Sequence, residues 1–338
     1  MPAERLPLSQ PPARDERSRV EMTVSCRDCD SIPKVANAGQ IVGSDGERIQ
    51  IMHNGMRVQA GGYYGSWMEE IICRLRGHHE PQEEAVFDRI LRHLHPGATM
   101  IEIGGFWSYY SLWFLQRLEG AATSIVVEPD PDNLAIGRAN AKLNDRHIEF
   151  VHASVGTHSY PQHQFQTETA GTISIPQMTV HDLVERYRLA QVDVLHCDAQ
   201  GIETEVLAAC RELILAKKIR FALISTHSHF ISGDPLTHQR CLAIVEGYGG
   251  QVLAEHDVHE SFSGDGLIAA YFGAEPLDWD RPRISYNRYS TSLFRNPLFD
   301  LDEAMRSASG TRWHPDWPVP GIKSLPESRA SARSLPSP

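Results

Sequence analysis

The sequence predicts an α/β fold, in which a doubly wound, Rossmann-like sheet of five parallel strands ends in an antiparallel hairpin. Two observations predict this fold. Short apolar runs alternate with helical patterns through the middle of the chain, and the last two apolar runs are separated by only about ten polar residues. The five parallel strands are expected near residues 99–103, 123–128, 147–151, 192–197 and 220–226.

The stretch MIEIGGFWSYYSLWF, residues 100–114, contains the first strand and the turn after it. Glu102 is the only charged residue of an otherwise apolar strand, so its carboxylate needs a partner. Gly104 and Gly105 permit a tight turn, and Ser108 is expected to cap a helix that begins near Tyr109. A strand, a glycine turn and a helix in this order are typical of a nucleotide site.

Other elements follow from periodicity and turn residues. A helix is expected from Glu83 to Leu94, and another from His238 to Glu246. The runs QVLAEH and GLIAAYF should pair as the closing antiparallel hairpin. Asp-Gly and Asn-Gly dipeptides between residues 39 and 60 predict a small β-rich N-terminal cap.

These patterns divide the chain into five parts. Both ends are rich in Pro, Arg and Ser and show little apolar periodicity. The parts are a disordered tail (1–35), a cap with a lead-in helix (36–95), the main domain (96–275), a C-terminal extension (276–312) and a second disordered tail (313–338).

Charge and hydropathy limit the partners. Forty-three acidic against thirty-two basic residues give a net charge of -11, which repels nucleic acid and anionic membrane surfaces. No apolar run reaches the roughly twenty residues that cross a bilayer, and the first residues lack the apolar core of a signal peptide. We therefore expect a cytoplasmic protein with neither nucleic-acid nor membrane partners, while the oligomeric state stays open.

One cysteine pair, Cys26-Arg-Asp-Cys29, has a spacing with chemical meaning. A structural zinc site would need a second pair or two nearby histidines at ligand spacing, and neither follows soon. The pair is therefore expected in a solvated N-terminal loop, without metal.

Glu128 ends the second strand, twenty-six residues after Glu102. An acidic side chain at this position can accept both hydroxyls of a ribose. The alternative is an acidic loop cap before a helix, a role that Asp130 and the prolines beside it would also fill. We favour the ribose role because Glu128 accompanies a glycine turn.

The glycine turn indicates which nucleotide cofactor binds at this site. A dinucleotide site normally shows three glycines as G-x-G-x-x-G, whereas no later glycine completes the pattern after Gly104-Gly105. Glu102 would oppose a pyrophosphate but suits the ammonium and sulfonium of S-adenosylmethionine. The turn therefore predicts S-adenosylmethionine as the cofactor.

Several passages together resemble the FkbM family of class I S-adenosylmethionine-dependent methyltransferases. They are GHHEPQEEAVF, MIEIGGFWSYYSLWF, VVEPDPDNL, VDVLHCDAQGIE, THSHF and SGDGLIAAYF, between about residues 77 and 272. The family usually reads D-V-G-A-N-x-G and I-K-I-D-V-E-G-x-E at two of these motifs. The chain differs by having Glu102, Phe106, Ser108, His196 and Gln200, while Asp198, Gly201 and Glu203 match.

The resemblance implies a class I methyltransferase sheet and assigns roles to residues. It implies that Glu102 and Gly104 line the methionine end, that Glu128 holds the ribose, and that the segment with Ser154 borders the adenine. Glu80 and Glu83 would close over the cofactor, and Phe106 and Tyr109 would pack around the sulfonium. The residues expected to bind the cofactor are Glu80, Glu102, Gly104, Gly105, Phe106, Tyr109, Glu128, Pro129, Ser154 and Asp198.

The catalytic residues are expected at the carboxyl edge of the sheet. Asp198 ends the fourth strand and His227 follows the fifth, so each is a potential base for a hydroxyl acceptor. His196 reads equally well as a hydrogen-bonded core histidine. A metal held by His227, His229 and Asp198 is the less favoured alternative.

The resulting hypothesis is methyl transfer from S-adenosylmethionine to a small-molecule hydroxyl, on a sugar or in secondary metabolism. Two alternatives stay open. One is a nicotinamide-dependent oxidoreductase, which Glu102 and the missing third glycine disfavour. The other is a cofactor-binding or regulatory protein that has kept the fold without catalysis, as the departures at Phe106, Ser108, His196 and Gln200 suggest.

Overall fold

The computed structural model describes residues 16–43, 48–119 and 122–287. Its helices are α1 (Glu16–Ser25), α2 (Ser66–Arg74), α3 (Pro81–Arg92), α4 (Tyr109–Arg117), α5 (Pro131–Leu143), α6 (Val180–Arg186), α7 (Glu203–Ala209), α8 (Arg211–Leu215), α9 (His229–Ser232) and α10 (Thr237–Gly247). Its strands are β1 (Ile41–Val42), β2 (Ile49–Ile51), β3 (Arg57–Gln59), β4 (Thr99–Ile103), β5 (Thr123–Val127), β6 (Glu149–Val151), β7 (Ser154–Val155), β8 (Tyr160–Gln166), β9 (Thr172–Met178), β10 (Val192–Cys197), β11 (Ile219–Thr226), β12 (Gln251–His256) and β13 (Gly266–Tyr271).

Seven strands form the central sheet in the order β12-β13-β11-β10-β4-β5-β6. The five strands from β11 to β6 are parallel, and β13 pairs antiparallel with both β11 and β12. The predicted α/β fold, with five parallel strands and a closing antiparallel hairpin, is therefore confirmed.

The sheet is buried on both faces, which explains its nearly continuous apolar strands. On one face, β-strand side chains such as Met100 and Phe221 pack with α3 and α4 in one hydrophobic cluster. On the other face, residues such as Ile101 and Leu195 pack with α6, α7 and α10 in a second cluster. Because the helices cover both faces, the carboxyl edge of the strands is where ligands can approach.

The predicted β-rich cap is present as the antiparallel sheet β1-β2-β3. It is tied to the main domain through α5, since Asn144 Oδ1 accepts from the Arg57 N–H at 2.9 Å and Asn140 Oδ1 accepts from the Gln59 N–H at 2.8 Å. A second small sheet, β7-β9-β8, was not predicted. Its strands β8 and β9 are mostly polar and exposed, so they lack the apolar run by which a buried strand is recognised.

The expectation of a disordered tail over residues 1–35 is wrong for the described part of that range. Helix α1 buries Val20 and Met22, and Cys26 and Cys29 are also buried rather than in a solvated loop. The sequence did not predict this helix because α1 has little amphipathic periodicity. Residues 1–15 and the tail predicted over 313–338 lie outside the described residues, as does all of the extension beyond residue 287.

Across the residues described here, no helix is both long enough and apolar enough to span a bilayer.

Candidate active site

The carboxyl ends of β4, β5, β10 and β11 bring most of the predicted site residues to one edge of the sheet. The turn after β4, Glu128 after β5, Asp198 after β10 and His227 after β11 all lie there. The loop before β13 adds Asp265, which stands 3.7 Å from His227.

The glycine turn fits closely against neighbouring strands. Gly104 has φ 76°, and a side-chain carbon there would lie 1.7 Å from the carbonyl oxygen of Asp198. A side-chain carbon on Gly105 would lie 2.3 Å from Val126. Glycine is therefore required at both positions for the chain to turn so close to the sheet edge.

Ser108 does not cap α4 as predicted. It occupies the N-cap position, but its backbone is left-handed, with φ 62°, and its hydroxyl makes no capping hydrogen bond. The Ser111 N–H of the first helical turn instead donates to Oε2 of Glu102, at 3.1 Å. The Glu102 carboxylate on β4 thus accepts a hydrogen bond from the first turn of α4, the role predicted for the Ser108 hydroxyl.

Glu102 consequently lies beneath the turn, 2% exposed, and not on an open surface. Burial raises its pKa to about 7, against the opposing effects of His196, whose Nδ1 is 4.0 Å away, and of the Ser111 hydrogen bond. Its predicted contact with the methionine end of the cofactor stays a prediction.

Glu128 is buried and holds the turn by two backbone hydrogen bonds. Its Oε2 accepts from the Phe106 N–H at 3.0 Å, and its Oε1 accepts from the Asp130 N–H at 2.8 Å. Burial raises the pKa of Glu128 to about 7. Because each carboxylate oxygen can accept a second hydrogen bond, both remain able to receive a ribose hydroxyl.

Pro129, predicted to bind the cofactor, follows Glu128 directly, and Ser154, predicted to border the adenine, begins β7. Pro129 accepts a hydrogen bond from His152 Nε2 at 2.9 Å through its carbonyl oxygen. Ser154 is 2% exposed, and its hydroxyl has no hydrogen-bond partner among the described residues. A buried hydroxyl without a partner is unusual, and a bound ligand would satisfy it.

The two aromatic residues predicted around the sulfonium have separate locations. Phe106 lies edge-on to Tyr63 and Tyr64, with ring centroids 5.0 and 5.4 Å apart, and these two tyrosines of the loop before α2 were missed by sequence reasoning. Tyr109 is instead a core residue with no exposed surface, and its hydroxyl donates to Glu84 Oε2 at 2.7 Å.

The two acidic residues at the start of α3, Glu80 and Glu83, also have different surroundings. Glu80 accepts a hydrogen bond from the Tyr110 hydroxyl at 3.0 Å and lies at the N-cap position of the helix. Glu83 lies under the sheet edge, where it accepts from Ser225 at 2.7 Å and contacts His196 Nε2 at 2.8 Å. That contact raises the pKa of His196 to about 9, although burial opposes it. His196 is thus the hydrogen-bonded core histidine of the sequence interpretation.

His227 is surrounded by carboxylates. Its Nδ1 faces Oε1 of the buried Glu203 at 2.6 Å, and its Nε2 faces Asp198 at 3.2 Å and Asp265 at 3.7 Å. Ionised carboxylates only accept hydrogen bonds, so both ring nitrogens carry protons in this arrangement. His227 is therefore an imidazolium and has no free lone pair with which to act as a base.

The pKa directions agree with this protonation. Burial would lower the pKa of His227, but the charge of Asp265 and the hydrogen bonds to Asp198 and Glu203 raise it well above its ordinary value. Burial would raise the pKa of Asp198, but His227 holds it below the usual range. Asp265 is farther from the imidazolium, and burial together with the charge of Asp198 raises its pKa to about 7.

Asp198 and Asp265 also reach solvent, with side chains 27% and 31% exposed, whereas His227 is 5% exposed. Sequence reasoning missed Asp265. The available signal was its place in a Gly-Asp-Gly turn just before an apolar strand, and the first residue of that strand, Gly266, pairs with Thr226 at the end of β11.

The alternative metal set of His227, His229 and Asp198 does not come together as a ligand cluster within the described ranges. In those ranges, three ligand atoms of the appropriate kinds meet at Cys29, His78 and Glu84, which lie elsewhere in the fold.

The β8-β9 hairpin reaches back over the site. Its turn places Thr169 on Asp130, with the Thr169 N–H 2.8 Å from Oδ2, and places Glu168 within 2.6 Å of Gln200 Nε2. Gln200 also contacts the Tyr64 hydroxyl at 3.4 Å. The hairpin, the tyrosine loop and the segment after β10 therefore meet at the same edge of the sheet.

Comparisons with known proteins locate the same region. Residues 94–252 match the family model described as the methyltransferase FkbM domain. A search among curated proteins finds no match.

Solved structures of similar fold include a precorrin-6y C5,15-methyltransferase from Geobacter metallireducens and M. capricolum TrmK in complex with S-adenosyl-homocysteine. The first is 13% identical with a TM-score of 0.36, covering 56% of this chain and 86% of the other. The second is 10% identical with a TM-score of 0.37, covering 68% of this chain and 88% of the other. Similarity at this level identifies neither the methyl acceptor nor the mechanism.

The sheet order, the glycine turn after its first strand and the acid after the second define a class I S-adenosylmethionine-dependent methyltransferase domain. Within that class, residues 94–252 match the FkbM family. S-adenosylmethionine is the cofactor of this family, and the residues present fit it. The two glycines let the backbone turn close to Asp198 and Val126 at the sheet edge, and the Ser154 hydroxyl has no hydrogen-bond partner among the described residues.

Proposed function

We propose that the protein transfers a methyl group from S-adenosylmethionine to a hydroxyl oxygen of a small molecule, such as a sugar or a secondary metabolite. The observation that supports this most directly is the pair of partly exposed carboxylates, Asp198 and Asp265, which both face Nε2 of the buried His227. A hydroxyl must lose its proton as it is methylated, so such an acceptor needs a nearby base.

On the cofactor side, the proposal assigns Glu128 to the ribose hydroxyls and the turn at Gly104 and Gly105 to the methionine end. Ser154 and Pro129 would border the adenine, and Phe106, with the neighbouring tyrosines, would close the site. When bound, S-adenosylmethionine supplies an electrophilic methyl group on a positively charged sulfur.

On the acceptor side, we assign to Asp265, and not to His227, the role of the base that takes the proton of the acceptor hydroxyl. His227 holds a proton on each nitrogen, and its positive charge keeps Asp198 ionised. Asp265 has the longer contact to the imidazolium and a pKa of about 7, which suits a base at neutral pH. Glu203 then acts as a positioning residue, because it fixes the ring of His227 through Nδ1.

The experiment is a product analysis with S-adenosylmethionine that has a ¹³C-labelled methyl group. The full chain is incubated with a metabolite extract, and labelled products are identified by mass spectrometry and carbon NMR. We expect the label in a methoxy group. Label on nitrogen or carbon would contradict the proposed acceptor class, and tight cofactor binding without any labelled product would favour a non-catalytic binding protein.

A further inference from the structure

We propose that Cys29, His78 and Glu84 form a structural site for a divalent metal ion of the zinc type, separate from the methyl-transfer site. The thiol sulfur, an imidazole nitrogen and a carboxylate oxygen of these residues all lie within 4.8 Å of one another. Zinc binds such ligands at about 2.0–2.3 Å, which separates them by less than that distance, so small side-chain movements are sufficient.

The three side chains come from three different segments. Cys29 follows α1 in the N-terminal segment, His78 lies in the loop before α3, and Glu84 belongs to α3. All three are buried, at 3%, 0% and 0% exposed. A metal here would fasten the N-terminal segment to the main domain, and it would account for burial of a segment whose sequence has little apolar periodicity.

Within the described chain, one polar atom of the cluster has no partner without a metal. His78 faces Glu84 Oε2 through Nδ1, while its Nε2 is buried without a hydrogen-bond partner among the described residues. A buried polar atom in this state is unfavourable, so a ligand on this imidazole nitrogen would satisfy it.

The hydrogen bonds around the ligands define what a metal would replace. The Cys29 thiol donates to the Pro81 carbonyl oxygen at 3.1 Å. Glu84 Oε2 accepts from the Tyr109 hydroxyl at 2.7 Å and also faces His78 Nδ1. A metal ion would take the place of the thiol proton and of one hydrogen bond to the carboxylate.

Metal binding would change these contacts in a defined way. The cation takes the thiolate as a ligand, the thiol proton leaves to solvent, and the carboxylate charge is neutralised. A mixed set of sulfur, nitrogen and oxygen ligands favours zinc over calcium or magnesium, which prefer oxygen alone.

The test measures metal content, with a matched cysteine variant as control. Full-length protein, Cys29→Ser and Cys26→Ser are purified without chelators and analysed by elemental mass spectrometry. Cys26 is as deeply buried as Cys29, at 2% exposed, but is outside the cluster. We expect about one zinc per chain in the wild type and in Cys26→Ser, and a loss of tenfold or more in Cys29→Ser.

Because Cys29→Ser could simply fail to fold, two measurements use the wild-type chain. Zinc added to metal-stripped protein should raise the melting temperature by several degrees, and cobalt in its place should give the absorption of a thiolate–metal bond. Magnesium is the control and should leave both unchanged. Wild-type protein without zinc that shows neither response would overturn the proposal, as would equal zinc loss in the two cysteine variants.

Discussion

His227 shows how a residue's partners determine its role. Its position just past β11 predicted a base, yet carboxylates face both of its ring nitrogens, and so the ring is held as an imidazolium. Sequence spacing placed the residue correctly, but Glu203 and Asp265 come from other segments, and their approach is a consequence of the tertiary fold. The same limit applies to Tyr109, whose spacing does not reveal that its hydroxyl binds Glu84.

Replacing Asp265 tests the assignment of the base. Asp265→Asn should lower turnover by about a hundredfold or more, because the amide cannot take the acceptor's proton. In the wild type, the rate should fall as the pH decreases below about 7, where Asp265 becomes protonated, and the variant should lack this limb. Steady-state rates across pH provide the measurement, on the acceptor that the labelling experiment identifies.

Asp278→Asn is the control, since Asp278 is an exposed carboxylate outside the site. A near-normal rate in Asp265→Asn, when chemistry limits turnover, would contradict the assignment. If His227→Gln then proved to remove the acid limb instead, the base would be the histidine.

The glycine turn is the element on which the site depends, and it provides a matched pair of substitutions. Gly104 and Gly97 both have positive φ, 76° and 90°, so alanine strains the backbone at each. At Gly104 the new carbon would also meet the Asp198 carbonyl oxygen, whereas at Gly97 nothing lies within 4 Å.

Gly104→Ala should therefore destabilise the fold by about 3 kcal/mol or more, and Gly97→Ala by about 1–2 kcal/mol. Denaturant unfolding of both variants measures the difference. Equal losses would mean that close approach to β10 is not what requires glycine at Gly104.

Buried helices and strands were predicted more accurately from the sequence than exposed ones. The strand Val192–Cys197 is buried throughout and was predicted with its observed bounds, as was Gln251–His256 with its turn residues on either side. The hairpin of β8 and β9 was missed because its residues are mostly polar and it is stabilised by pairing between its own strands. Helix α1 was missed because a short polar helix is stabilised by what it packs against, which no local pattern records.

On the scale of the whole molecule, the site residues should reduce stability. The pKa of Asp265 is raised on folding from 3.8 to about 7, so this residue stabilises the folded state when protonated, and that contribution is lost progressively as the pH rises from about 4 to about 7. A neutral amide avoids the loss. Asp265→Asn should match the wild type near pH 4 and melt about 2–4 °C higher at pH 8.

Melting curves at both pH values measure this difference, again with Asp278→Asn as control. A variant that is less stable than the wild type at pH 8 would show that the contact with His227 makes the ionised carboxylate favourable. It would remove the reason for assigning Asp265 a pKa near neutrality.

The measurement that tests the account most directly is calorimetric titration of S-adenosylmethionine into the wild type, Glu128→Ala and Glu149→Ala. Glu149 begins the neighbouring strand β6 and pairs with His147 at the surface, so its loss should leave affinity unchanged. Since charged hydrogen bonds contribute about 1.5–3 kcal/mol each, Glu128→Ala should weaken binding at least tenfold while the protein stays folded. A folded Glu128→Ala protein with wild-type affinity would contradict the proposed placement of the cofactor at this edge of the sheet.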